Sequence, residues 1–223
     1  MIIDHNDPRY QAVLNKQSAF RKRNRHNGGY YYSTEIVKNI IPFIKTDRNW
    51  MTVDLNSVVL DHTIAFVHHN IHSEWYERWK GHDAILVCGM PETVEKVKDF
   101  GHAIYLPMSV DVEYVKQFYQ PVKDKEVCFV GRREKRTAQV PDDIPNLWEI
   151  PRSDLLTELA HYKKAYAVDR CAIECNVLGV EVLEYGYDYG VHHGPEFWKV
   201  RDNREMVPIL QAEIDKIDNK PQP

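Results

Sequence analysis

The sequence predicts an α/β fold built on mostly parallel sheet, and three observations carry that expectation. Compact apolar runs recur along the chain, they alternate with segments of helical periodicity, and Gly, Pro, Asp or Ser clusters separate the two kinds. Strands that alternate with helices are economically joined as parallel neighbours with helices over their faces. With 223 residues, 43% of them hydrophobic, the chain has apolar surface enough for one large core or two small ones.

The opening is polar and basic through Arg21-Lys-Arg-Asn-Arg25 to Gly28-Gly29, then aromatic at Tyr30-Tyr-Tyr32. Ser33-Thr34-Glu35 reads as a helix start, followed by Ile36, Ile40 and Ile41 at helical spacing toward Phe43. Strands are expected at 50–55 and 63–68, a short helix at 73–80, a strand at 84–88, a helix at 91–100 and a strand at 103–106. Residues 111–119 read as helical, and Gln120-Pro-Val-Lys-Asp-Lys125 is short, polar and Pro-bearing, as a linker would be. Two domains are therefore expected, 1–120 and 121–223. The second opens with a strand at 126–130 that ends in Gly131-Arg132-Arg133. After a charged loop and an apolar stretch at 147–150, Ser153 is the expected N-cap of a helix carrying Leu155, Leu156, Leu159 and Tyr162. Strand, helix, a Gly179 stop and another strand follow through Leu183. A helix over 203–218, with Val207, Leu210 and Ile214 on its apolar side, precedes a short tail.

A net charge of -4 argues against a protein that coats nucleic acid or an anionic membrane through its overall field. No apolar run approaches the length of a membrane span, and the first residues lack both the basic start and the apolar core of a signal peptide. Cys88, Cys128, Cys171 and Cys175 lie in or beside apolar segments, which favours reduced, buried thiols and a cytoplasmic setting.

Arg170 and Glu174 stand four residues apart on an expected helix that follows a strand. They share a face at the strand-to-helix loop, where open α/β sheets bind ligands. The arginine suits a phosphate and the carboxylate suits ribose hydroxyls, although the same spacing also makes a plain ion pair. Gly131-Arg132-Arg133-Glu-Lys135-Arg136 sets backbone amides and four cations after a buried strand, where a diphosphate would sit; it reads equally as a solvated charged loop. His68 and His69 end an apolar strand, a position for a general base, or for ordinary histidines at a core edge. No Asp, Glu or Cys stands near them at a convincing metal-ligand spacing. The basic run at 21–25 reads as solvated surface or as a phosphate or nucleic-acid contact.

Three segments together resemble the GT-B glycosyltransferases. Cys88-Gly-Met-Pro-Glu-Thr-Val-Glu-Lys-Val through Tyr105-Leu-Pro-Met-Ser-Val-Asp111 is similar to the end of the family's acceptor lobe. Phe129-Val-Gly-Arg132 is similar to the first strand and phosphate loop of the donor lobe. Arg170-Cys-Ala-Ile-Glu174-Cys-Asn-Val-Leu-Gly179 resembles the donor-binding helix with its acidic residue and closing Gly. The resemblance implies two Rossmann-like lobes facing a cleft, with the C-terminal helix packing back toward the first lobe. It implies transfer of a sugar from a nucleotide-sugar to an acceptor hydroxyl without an obligatory metal. Gly131 and Arg132, with Arg133 beside them, would contact the donor diphosphate, Arg170 would assist, and Glu174 would take the ribose hydroxyls. Gly28 and Gly29 resemble the loop that approaches the donor phosphates, and His68 or His69 is the expected base. Many retaining members carry an acid eight positions before the ribose glutamate; here Tyr166 stands there. That difference, with the short lobes, keeps open a second reading: a nucleotide-derivative binding protein without transfer activity. A basic-loop nucleic-acid protein is a third.

Overall fold

The computed structural model describes residues 35–53, 61–67, 77–186 and 195–219. They form a mixed α/β structure in two compact units, one of residues 44–106 and 210–219, the other of 35–43 and 107–209.

In the first unit β1 (Asn49–Val53), β2 (Thr63–Val67), β3 (Ala84–Cys88) and β4 (His102–Tyr105) pair in parallel, in chain order. Both central strands are buried at every residue, which is why Thr-Ile-Ala-Phe-Val and Ala-Ile-Leu-Val-Cys are continuous rather than alternating apolar runs. Helix α2 (Pro91–Val97) begins with Pro at its first position, where the missing N–H costs no hydrogen bond. It ends before Phe100, and Val97 packs with Ala65, Leu86, Cys88 and Trp79.

In the second unit β5 (Lys125–Val130), β6 (Asn146–Leu147), β7 (Tyr162–Tyr166) and β8 (Glu181–Leu183) form a second parallel sheet, in the order β6-β5-β7-β8. Its helices are residues 35–39 (α1), α3 (Val112–Lys116), α4 (Arg152–Leu159), α5 (Asp169–Val177) and the first turn of α6 (Met206–Asp218). The boundary between units falls after Leu106, ahead of the 120–125 linker, because Val110 and Val115 are buried with Cys128, Leu156 and Ile173 in the second core. Ser153 is not the N-cap of α4. Pro151 holds that position and Ser153 lies within the first turn, its hydroxyl donating to Asp154 at 3.2 Å; proline has no N–H for the helix interior but is well suited to its edge.

Helix α5 ends as its sequence foretells. Gly179 takes φ 69°, the Gly179 N–H donates to Asn176 O at 3.3 Å and the Val180 N–H to Cys175 O at 2.8 Å, the paired bonds of a Schellman stop. The chain is thereby turned into β8 alongside β7, with register Ala165 to Val182.

No helix among the described residues is long and apolar enough to cross a membrane. All four cysteines are free thiols; Cys88, Cys128 and Cys175 are buried and Cys171 is half-buried. Burial pushes the Cys88 thiol up to about 12.

Candidate functional site

The strand order places a topological switch point in the second sheet. The connection leaving β5 runs to β6 on one side, and the connection leaving β7 runs to β8 on the other. Loops that diverge from adjacent parallel strands leave a crevice at the carboxyl edge, where open α/β sheets hold their ligands. Phe129 and Tyr166 are register partners, so Gly131-Arg132 and Val168-Asp169-Arg170 leave the sheet side by side.

Gly131 makes the first of these turns with φ 141°, a conformation that favours glycine. A Cβ there would meet only the Phe129 ring, at 3.8 Å, so the backbone angle rather than space selects the residue. Beyond it the Arg132 guanidinium lies 5.8 Å from the Trp148 ring centroid, and Arg136 lies 5.9 Å from that of Phe129. Arg133 is exposed at the start of a short 3-10 turn, Arg133–Lys135. Lys135 Nζ then crosses the crevice to donate to Asp169 Oδ2 at 2.7 Å. Asp169 opens α5 with φ 55°, a left-handed conformation that Asp tolerates better than most residues.

Behind this edge lies a compensated quartet of charges. Glu174 Oε1 accepts from Arg170 Nε at 2.6 Å and from Arg152 Nη2 at 2.7 Å, and Arg170 Nη2 donates to Glu35 Oε1. Glu35 Oε2 accepts from the Asp111 amide and from Asn203 Nδ2, both at 3.0 Å. Glu174 is 1% exposed, Arg170 7% and Arg152 9%. Burial by itself disfavours the charged forms of Arg170 and Glu174. Instead burial is outweighed at Arg170 by Glu174 and Glu35, which raise its pKa, and at Glu174 by Arg152 and Arg170, which lower its own. Both arginines occupy the first turns of α4 and α5, where the helix dipole disfavours cations and attracts anions. The carboxylates answer that conflict.

Hydrogen-bonding capacity is left over within the quartet. Arg170 Nη1 is buried with no partner, and both hydrogen bonds to Glu174 fall on Oε1. On β6, Asn146 Oδ1 is likewise buried without a donor.

The structure thus brings Gly131, Arg132, Arg133, Arg170 and Glu174 to one sheet edge. Arg170 and Glu174 also make the i, i+4 ion pair that their spacing allows. Gly28, Gly29, His68, His69 and the basic run at 21–25 lie outside the described residues. Sequence reasoning missed Glu35 and Arg152 as members of the quartet, and the Lys135–Asp169 bridge. One signal for Arg152 was present: a basic residue in a helix's first turn calls for a carboxylate or an anion nearby. Among the described residues, no group of three His, Cys, Asp or Glu is placed to hold a metal ion. Comparison of the chain with protein-family models, curated proteins and solved structures found no match.

Proposed function

We propose that the protein is a glycosyltransferase of the GT-B kind whose C-terminal unit holds a nucleotide-sugar donor at the β5/β7 crevice. The observation that carries this reading is the switch point itself, with Gly131, Arg132 and Lys135 on one lip and Asp169 and Arg170 on the other. The donor diphosphate rests on the Gly131 turn against Arg132 and Arg133, and takes the unpartnered Arg170 Nη1 donor. A ribose hydroxyl donates to Glu174 Oε2. In transfer, the bond between the anomeric carbon and the diphosphate oxygen breaks with its electron pair on the diphosphate, where the cations stabilise the new charge. The acceptor oxygen bonds to that carbon, and its proton passes to a base, for which His68 or His69 is the proposed residue.

A binding protein without transfer is the second reading, and one observation favours it. Glu174 is already neutralised by two arginines and almost fully buried, and Tyr166 occupies the place where many retaining members of the GT-B family carry an acid. A thermal-shift panel of nucleotide sugars, followed by measurement of released nucleoside diphosphate, separates the two. Stabilisation with release is the expected result; stabilisation without release selects the binder. No shift with any nucleotide sugar rejects both.

A further inference from the structure

We infer that the Lys135–Asp169 bridge is an autoinhibitory latch on the proposed phosphate site: the Asp169 carboxylate holds the place of a ligand's anionic group, and a diphosphate binds by taking Lys135 from it. The latch rests on the donor-site reading.

The bridge joins the two segments that leave the second sheet side by side. Lys135 ends the 3-10 turn that follows Gly131 on the β5 side, and Asp169 opens α5 on the β7 side. Their 2.7 Å contact therefore runs from one lip of the crevice to the other, and it is sheltered, with the two side chains 23% and 18% exposed. Asp169 stands in the first turn of a nine-residue helix, where a negative charge is favoured. A carboxylate with a lysine before it and a helix start behind it occupies the position an incoming phosphate would take.

The two anions compete for that position. Each charge-assisted hydrogen bond that Lys135 gives to a phosphate oxygen is one withdrawn from Asp169. A diphosphate beside Asp169 also meets a like charge in surroundings where salt screens it only in part. Arg132 and Arg133 favour the ligand, while Asp169 and the exposed Glu134 of the same turn oppose it. Glu174 and Glu35 lie behind the edge with their charges met by Arg152 and Arg170. A bridge that only stapled the loop to the helix would add stability and leave anion affinity unchanged.

Asp169→Asn separates these roles, because Asn accepts the φ of 55° and keeps a polar helix start while the charge is removed. The full chain is titrated calorimetrically with pyrophosphate as wild type, Asp169→Asn, Lys135→Ala and the double variant. Asp169→Asn is expected to bind pyrophosphate roughly fivefold or more tighter than the wild type. In the Lys135→Ala background the same substitution is expected to gain less, since no lysine is released. Affinity in Asp169→Asn equal to or weaker than that of a wild type that binds overturns the latch and leaves the phosphate site standing. An equal gain in both backgrounds also overturns it, by reducing Asp169 to a simple repelling charge. Failure of both the wild type and Asp169→Asn to bind pyrophosphate rejects the phosphate site and the latch with it.

Discussion

Arg152, Arg170, Glu35 and Glu174 hold two positive and two negative charges inside one protein unit, and each depends on the others for its solvation. A lone buried ion is expensive, while a compensated and hydrogen-bonded set is tolerated. Replacing Glu174 with Gln leaves two buried guanidiniums facing Glu35 alone. We expect a loss of about 3–5 kcal/mol in urea unfolding, the size found when one partner of a buried pair is removed. A loss below about 1 kcal/mol would mean that the pair behaves as a solvated surface contact. The Arg170–Glu174 spacing was legible in the sequence because both residues lie on one helix. Glu35 and Arg152 were not, because only the tertiary fold brings α1 and the start of α4 to that helix.

Where elements begin, the first sheet carries its own electrostatic clasp. His62, just before β2, donates from Nε2 to Asp47 and from Nδ1 to Asp83, both at 2.9 Å, and so bridges the segments that lead into β1 and β3. Arg48 joins Asp83 at 2.9 Å to Asp218, the last residue of α6, at 2.6 Å. Hydrogen bonds to Asp83 and Asp47 raise the His62 pKa above 6.5 despite partial burial and Arg48 nearby. Asp47 is lowered by its bond to His62; at Asp83, burial is outweighed by the bonds to His62 and Arg48. The signs follow directly. The histidine's contribution is complete below 6.5 and disappears as pH rises through its higher folded value; the aspartates' contribution is complete above 3.8 and disappears as pH falls through their lower ones. His62→Asn keeps a side chain that accepts the φ of 54°. Its stability deficit is expected to be largest between those two values and to shrink above the upper one in pH-dependent denaturant unfolding. A deficit that grows with alkalinity would contradict this arrangement. The strands and most helices were legible from apolar runs and periodicity, because central parallel strands such as Ala84–Cys88 are apolar without interruption. Helix starts were less so: Ser153 has the chemistry of an N-cap, but Pro151 has the geometry of the edge.

At the scale of the molecule, alternation of strand and helix indicated parallel pairing, and the described residues form two four-stranded parallel sheets. Strand order was not legible. Local pattern does not record that β7 pairs on the opposite side of β5 from β6, and it is this reversal that opens the proposed donor crevice. The boundary between units was likewise hidden, since the polar 120–125 segment looks like a linker whereas Val110 and Val115, upstream of it, belong to the second core. The proposed donor site is tested most directly by calorimetric titration of the full chain with pyrophosphate, UDP, GDP and ADP, beside Arg132→Ala and Lys135→Ala. Binding of pyrophosphate and of at least one nucleoside diphosphate, weakened roughly tenfold or more by Arg132→Ala, is the expected result. Absence of binding by the wild type, or equal affinity in Arg132→Ala, would contradict a phosphate site at the β5/β7 crevice.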